Sequence, residues 1–454
     1  MYFKRLLIAN RGEIARRIIR TARELGIETV AISSDVDAGL PFTSEADAHF
    51  VIGAAPPSES YLHQEKILDV ARRTGADAIH PGYGFLAENA TFARRVAEAG
   101  LTFIGPKAEA IGRVGGKLDA RCLAVEAGVP VVPGTTALTD FGVAEREAER
   151  LGYPVLVKAA AGGGGIGMAV AADAKALERG VAEAKKRGAT FFGSDVIYLE
   201  KLIDAPAHVE VQIVADHYGH VMALGERDCT IQRRHQKVVE ETPSPRLQPS
   251  TRRAMMAAAV RLMQRAEYTN AGTVEMIYAG GGDARGAFYF LEVNSRIQVE
   301  HPVTEMVTGR DIVALQLGIA AGERLSDLID VQRINGCAIE ARICAENPER
   351  KFFPSPGVLS RVVFPDSTSD LRIDTGIVSQ SLVPPHYDSL LAKVVAWGPT
   401  RDEAIERLKR ALAETVIEGV KTNLSIFQPV LDHPVFRRGD HDTRFLKTHL
   451  GYEY

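Results

Sequence analysis

Cysteine is scarce. There are four in 454 residues, Cys122, Cys229, Cys337 and Cys344, and they form no CxxC pair. That excludes a disulfide-stapled scaffold, argues against a zinc site, and points to a cytoplasmic protein with free thiols. No run of about 20 apolar residues occurs, the length a helix needs to cross a bilayer, so no membrane partner is expected. The first residues, Met1-Tyr2-Phe3-Lys4-Arg5, lead at once into a strand-like run and lack the apolar stretch and small-residue cleavage site of a signal peptide. An excess of one charge is also missing: 54 Lys and Arg stand against 58 Asp and Glu, a net charge of −4. This excludes bulk nucleic-acid binding. The sequence has no low-complexity tract, long linker or internal repeat. What is present is 46% hydrophobic and 25% charged residues, ordinary for a globular chain, over a length that suggests about three domains.

The first segment alternates strands and helices. RLLIA is a short apolar run, and Ile14, Ala15, Ile18, Ile19, Ala22 and Leu25 then recur at helical spacing, leaving Arg16, Arg17, Arg20 and Arg23 for other faces. Gly26 is a stop signal, and ETVAI is a second buried strand. A helix over 61–73, the strand ADAIH, a helix over 88–99 and the strand LTFIG follow. This alternation implies a parallel sheet with helices on its faces, ending near Val114. The middle segment is richer in strands: YPVLVKA and MAVAA around a glycine loop, DVIYLEKLI, HVEVQIVAD, GHVMALGERDCTIQ, then a helix over 251–267 and a hairpin made by GTVEMIY and AFYFLEVN. From about Arg333 come the strands CAIEARICAE, RVVFP and LAKVVAWG, and a helix opened by a Thr400–Glu403 capping box, with Ile405, Leu408 and Leu412 on one face and Gly419 as its end. The fold class expected is α/β and α+β, multidomain.

Three features carry chemistry. Gly162-Gly163-Gly164-Gly165-Ile166-Gly167 can bring backbone N–H groups against an anion. It is no Walker A loop, because no Lys-Ser or Lys-Thr follows. It is no dinucleotide fingerprint either, because a strand follows rather than a helix. A plain flexible turn remains open; Lys158, at the end of the preceding strand, favours a flap over nucleotide phosphates. In the hairpin, a turn centred on Gly282-Asp283 sets Glu275 opposite Glu292, with Asn294 on the face of Glu292. Two carboxylates about 4 Å apart repel by roughly 4 kcal/mol at an effective dielectric near 20, and a divalent cation removes that repulsion. Oxygen-only ligands suit Mg²⁺ or Mn²⁺; a glutamate turned to solvent is the alternative. The third feature is a set of three stretches: HPGYGFLAEN at 80–89, RDCTIQRRHQKVVEE at 227–241 and NSRIQVEHPVTE at 294–305. From composition alone, RRHQK is a solvated basic face and Arg296 with Glu300 a surface ion pair.

Together these stretches resemble the signature segments of biotin carboxylases, members of the ATP-grasp superfamily. The similarity runs from LLIANRGEIA near the start to GVKTN at 419–423 and TRFL near the end. The resemblance implies an N-terminal Rossmann-like pre-ATP-grasp domain (1–114), an ATP-grasp domain (115–330) with a mobile glycine-flap lid at about 131–203, and a C-terminal biotin carboxylase domain (331–454). By the same resemblance, Lys117 and Lys158 contact ATP phosphates and Gly164 and Gly165 form the covering flap, with Met168 after it. Glu200, Lys201, Leu202 and Ile203 are the adenine hinge, and His208, Gln232 and His235 further nucleotide-site residues. Glu275, Glu292 and Asn294 match metal positions for two Mg²⁺ or Mn²⁺ ions. Lys237, Arg296, Gln298, Val299 and Glu300 match the bicarbonate site, and Arg342 the arginine on the biotin ureido oxygen. Ile166, Val293 and Ala87 depart from common family residues, and none removes a catalytic group.

The implied reaction carboxylates biotin with ATP and bicarbonate. Glu300 takes the bicarbonate proton, carboxyphosphate forms, and Arg296 and Arg342 stabilise the biotin oxyanion. None of the eight methionines adjoins a lysine, unlike the Met-Lys-Met setting of carrier-bound biotin, and the sequence ends at Tyr454. Biotin is therefore expected on a separate carboxyl carrier protein, with carboxyltransferase subunits and a homodimer as further expected partners. The final acceptor is left between acetyl-CoA or another acyl-CoA, which is preferred, and pyruvate or another 2-oxo acid. Two other classes share part of the pattern. Another ATP-grasp ligase, such as a carboxylate–amine ligase, would not carry RRHQK, NSRIQVEHP and Arg342 together, and a non-catalytic regulatory or assembly protein would have lost one of these groups.

Overall fold

The structure is a computed structural model that describes residues 3–160, 168–281, 286–329 and 333–453. It begins with a five-stranded parallel sheet, β1 (Arg5–Ile8), β2 (Glu28–Ser34), β3 (Ala48–Gly53), β4 (Ala78–His80) and β5 (Thr102–Phe103), in the order β3-β2-β1-β4-β5. Successive residues of β1 enter opposite cores. Leu6 and Ile8 pack with Ile14 and Ile18 of helix α1 (Gly12–Glu24), whereas Leu7 packs with Ile67, Leu68 and Val96. Helices thus cover both faces, which is why the strands read as unbroken apolar runs.

Details differ from the sequence reading. β3 has no counterpart in it, because AHFVIG is a short edge strand with most residues half-buried. The helix expected from Tyr61 begins at Gln64, since Tyr61 itself is buried and donates its hydroxyl to Asp37 at 2.6 Å. The next begins at Ala90, capped by Asn89, whose side chain accepts from the Phe92 N–H. Arg17, left for a face other than the apolar one, is buried there, with Glu305 and Asp311 each at 2.7 Å.

The strands flanking the glycine loop are found as expected. β6 (Val155–Ala159) pairs antiparallel with β7 (Met168–Ala171) and with β8 (Ile197–Lys201). The loop residues between β6 and β7, including Gly164, Gly165 and Ile166, lie outside the described residues.

The largest sheet joins the middle and last segments of the chain. Its strands are β9 (Pro206–Ala215), β10 (Val221–Arg233), β11 (Gln236–Thr242), β12 (Asn270–Ala279), β13 (Phe288–Asn294), β14 (Cys337–Cys344), Leu371–Thr375 and Leu390–Gly398. They run β13-β12-β9-β10-β11-β14, then Leu390–Gly398 and Leu371–Thr375 at the end. Alternation sorts its residues. Val209, Val211 and Ile213 of β9 and Val274 and Met276 of β12 enter one core with Met255 and Leu262 of the helix Pro249–Arg265. Ile339, Ala341 and Ile343 of β14 enter another with Ile405 and Leu408 of the helix Arg401–Glu414. The intervening residues, Glu210 and Gln212, Thr273 and Glu275, Glu340 and Arg342, therefore share the other face, which is buried as well.

The capping residue Thr400 accepts from the Glu403 N–H at 3.3 Å and donates to its carboxylate at 3.0 Å. Gly419 does not end that helix. The helix stops at Glu414, and the strand Val416–Glu418 intervenes. Gly419 turns the chain after that strand, at φ +102°, where a Cβ would lie 2.2 Å from the Val358 carbonyl oxygen.

Candidate active site

The hairpin places its carboxylates as the sequence implies: Glu275 of β12 is directly opposite Glu292 of β13, and Thr273 opposite Asn294. On the far side of β12, Glu275 also faces Glu210 of β9. Three carboxylates thus lie side by side across the sheet. The Lys237 ammonium, reaching from β11, offsets much of this charge, with Glu210 at 2.5 Å, Glu275 at 2.8 Å and Glu300 at 2.6 Å. RRHQK is therefore no uniform solvated face. Gln232 and Arg233 are buried and Lys237 is half-buried, whereas Arg234 and His235 form the exposed turn, both at positive φ.

Glu300 precedes the helix His301–Thr308 and is fully buried. One oxygen meets Lys237, and the other accepts from an Arg342 Nη at 2.7 Å. Burial works to raise its pKa, but Lys237, Arg342 and Arg227 together hold it well below the carboxylate range. The same holds for Glu275, where Lys237 and His208 prevail over burial. Glu292 differs. Among the described residues its carboxylate has no hydrogen bond or ion pair, and burial, then the charge of Glu275, push its pKa up.

Arg296 is not ion-paired with Glu300. Its guanidinium reaches Glu88 at 3.2 Å, the Asn294 side-chain oxygen at 2.8 Å and the Gln298 side-chain oxygen at 2.6 Å. Gln298 in turn donates to Glu275 at 3.1 Å, and the Val299 carbonyl accepts from Lys393 at 2.9 Å. His208 lies between Glu275, at 3.0 Å from Nε2, and the Gln232 amide, at 3.0 Å from Nδ1. These residues form one connected network.

The remaining predicted residues lie toward the three-stranded sheet. Lys158 of β6 is buried and ion-paired with Glu200 at 2.7 Å; Glu200 also meets Arg121 at 3.1 Å. Burial lowers the pKa of Lys117, and neighbouring Lys158 adds to this against Glu292 and Glu200. Met168 faces Lys158 across the β6–β7 pair. The Lys201 ammonium is turned to the backbone carbonyls of Gly152 and Tyr153, and Leu202 and Ile203 follow it, half-buried.

Sequence reasoning assigns no role to Glu210, Arg227, Glu240 or Glu340. Their signal is nonetheless present: a charged residue at alternate positions of an apolar strand, as in HVEVQIV and CAIEARI, faces a second buried surface. Oxygen ligands from Glu275, Glu292 and Asn294, one of them a carboxylate without a partner among the described residues, suit a hard divalent cation.

Known proteins share this framework. Family models match in three consecutive pieces: the biotin carboxylase N-terminal domain over 2–111, the ATP-binding domain of the carbamoyl-phosphate synthase L chain over 117–328, and the biotin carboxylase C-terminal domain over 340–448. The biotin carboxylase of Halalkalibacterium halodurans is 49% identical over 99% of this chain and 98% of its own. The chain belongs to the biotin carboxylase family. As a biotin carboxylase it is an ATP-dependent ligase of the biotin-dependent carboxylases. A pyruvate carboxylase subunit of Methanothermobacter thermautotrophicus is 45% identical over 98% of this chain and 89% of its own. The biotin carboxylase domain dimer of the Hydrogenobacter thermophilus 2-oxoglutarate carboxylase, solved with MgADP, ADP and bicarbonate, superposes with a TM-score of 0.95 at 44% identity, covering 100% of this chain and 99% of that one. Among the described residues, no helix of this biotin carboxylase is long and apolar enough to cross a membrane.

Proposed function

We propose that the chain carboxylates biotin on a separate carrier protein, through carboxyphosphate, as the first half-reaction of an acetyl-CoA or other acyl-CoA carboxylase. The observation that carries the site assignment is Glu300, fully buried and gripped by Lys237 at 2.6 Å and Arg342 at 2.7 Å. Such a carboxylate is a weak base while both cations attend it. An anion bound between Lys237 and Arg296 draws cationic charge onto itself and raises the proton affinity of Glu300 where the proton must be taken.

Bicarbonate binds to Lys237, Arg296, Gln298 and Val299 and gives its proton to Glu300. Its oxygen attacks the γ-phosphorus of ATP, and ADP leaves. Lys117 and Lys158 neutralise phosphate charge, and Gly164 and Gly165 cover it. Glu200, Lys201, Leu202, Ile203, Met168, His208, Gln232 and His235 hold the nucleotide. Glu275, Glu292 and Asn294 hold Mg²⁺ or Mn²⁺, two ions in all, whose chemistry is to neutralise phosphate oxygens. Carboxyphosphate splits to CO₂ and phosphate, phosphate takes the ureido N–H proton, Arg296 and Arg342 stabilise the resulting oxyanion as planar guanidinium groups, and the ureido nitrogen then bonds to the CO₂ carbon to give carboxybiotin. Support comes from the 2-oxoglutarate carboxylase relative, which was solved with MgADP and bicarbonate.

The proposed units are 1–114, 115–330 with a lid at about 131–203, and 331–454; the three family matches fall within them, apart from small differences at the ends. A homodimer, a biotin carboxyl carrier protein and carboxyltransferase subunits complete the assembly, and we place it in the cytoplasm. A pyruvate or 2-oxo-acid carboxylase is the second reading of the acceptor, favoured by two of the relatives above. The carboxyltransferase that co-purifies with the chain decides between them.

The test is ADP release by the purified protein with Mg²⁺. Release that requires bicarbonate and rises with free biotin, with carboxybiotin detected, is expected. ATP binding without stimulation by biotin or a biotinylated carrier would refute the proposal. Arg296→Ala should impair biotin carboxylation far more than ATP binding, as read by biotin-dependent ADP release beside nucleotide titration; equal loss in a folded variant would count against its role. Glu292→Gln should raise the Mg²⁺ concentration needed for half-maximal ADP release by at least about 10–100-fold, the loss seen when even a hydrogen-bond partner of a ligand is removed. It should also raise the melting temperature of the metal-free protein, because the amide removes a half-buried charge without a partner among the described residues.

A further inference from the structure

Glu240 and Glu340 are cross-strand partners in the pairing of β11 with β14, so they project side by side from one face of the sheet. Both are 0% exposed. They are not equivalently served. The Glu240 carboxylate is ion-paired with Arg342 Nε at 2.5 Å although neither of its oxygens forms a hydrogen bond, whereas the Glu340 oxygens have neither a hydrogen-bond partner nor an ion pair among the described residues. Beside them lies an apolar cluster, Val303 and Val307 of the helix His301–Thr308 with Ala338 and Val395, which offers no counter-charge.

The nearby charges are already engaged. Lys393, on the strand Leu390–Gly398, is held by Glu13 of α1 at 3.0 Å and by the Val299 carbonyl at 2.9 Å. Lys237 of β11 is shared among Glu210, Glu275 and Glu300, and Arg227 of β10 meets Glu210 at 2.5 Å. Cys229 of β10 lies near Glu300. His301 and Glu305 of the overlying helix face each other and the Arg17–Arg372 pair. Among the described residues, Arg342 connects the pair to the reacting groups, with Nε toward Glu240 and Nη2 toward Glu300.

We propose that Glu240 and Glu340 share one proton, carried by Glu340, and that the pair is a positioning device that holds Arg342 by Nε while Nη2 exchanges Glu300 for substrate. This rests on the assignment of Glu300 as the base. Two ionised carboxylates side by side in this setting would repel, and a single proton removes the repulsion and supplies an O–H donor to Glu240. Both groups shift in the agreeing direction. Burial is the largest cause in each, with Glu300's charge adding to it; Glu240 is pushed up to about 7 and Glu340 well above the ordinary value. When Glu300 takes a proton and becomes neutral, Arg342 loses that partner but keeps Glu240, so the guanidinium stays in place with Nη2 free.

Two measurements test this. In infrared difference spectra at pH 8, wild type against Glu340→Gln should show a protonated carboxyl C=O band that the variant lacks and that Glu240→Gln retains; absence of the band in the wild type overturns the proposal whatever Glu300 does. In kinetics, Glu340→Gln should keep biotin-dependent ADP release within about 2-fold, because an amide is neutral and donates an N–H. Glu240→Gln should lose at least 10-fold with the KM for ATP unchanged. It should also move the acid limb of kcat/KM to lower pH, since an anion near Glu300 is gone. Equal effects of the two variants, or a wild-type profile in Glu240→Gln, overturn the positioning role. A fully active Glu300→Gln would instead refute the base assignment and leave the proton pair standing.

Discussion

Glu300→Gln lowers bicarbonate-dependent ADP formation by about 10²–10⁴-fold, the contribution typical of a positioned general base. The glutamine keeps the size of the side chain and an oxygen for Lys237, but it cannot take a proton. The fold should survive, because Lys237 retains Glu210 and Glu275, and Arg342 retains Glu240. Nucleotide affinity, read by fluorescence or calorimetric titration, should stay within a few-fold. A variant that binds ATP and still releases ADP at the wild-type rate would remove Glu300 from the reaction and shift attention to Glu210, another buried carboxylate on Lys237.

Lys237→Ala has the largest expected effect on stability. The substitution leaves Glu210, Glu275 and Glu300 buried together without the ammonium that all three touch. Breaking a buried ion pair by removing one partner costs about 3–5 kcal/mol. Denaturant unfolding of the protein with and without MgATP measures it. The dependence on pH has a definite sign. In the wild type, Glu275 and Glu300 titrate below the ordinary glutamate value of 4.5. Their contribution to stability is thus present above that pH and lost as pH falls through the folded-state values. In the variant, the carboxylates without their cation titrate higher than in the wild type, so the stability deficit is largest at high pH and shrinks on acidification. A deficit that stays constant from pH 8 to 5 would show that Lys237 supports the fold by packing alone.

Local pattern carries far here. Glu275 and Glu292 can be set opposite each other from two strand-like runs and a glycine-rich turn, because side chains alternate and a hairpin fixes which residues meet. The alternation of strands and helices in the first segment announces a parallel sheet for the same reason. The family-specific stretches name Lys237, Arg296, Glu300 and Arg342 without showing that they meet.

What local pattern cannot reach is which distant segments touch. Gly419 has the right identity for a helix end, yet its place is a tight approach to Val358 that depends on a strand pairing more than 50 residues back in the chain, Arg361 with Glu418. Helical spacing puts Arg17 on a face other than the apolar one but does not say what covers it; Glu305 and Asp311, from the far end of the middle segment, cover it. The pairing of β11 with β14 likewise merges two segments into one sheet, sets Glu240 against Glu340 and brings Arg342 to Glu300. By itself the sequence determined most of the elements and the carboxylate hairpin, since these follow from short-range alternation and turn chemistry, while the reacting groups were named only by the family resemblance. Only the tertiary structure decided how charge is shared among Glu210, Glu275, Glu300 and Lys237, because electrostatic energy depends on distance and burial in space, and neither is a property of position along the chain.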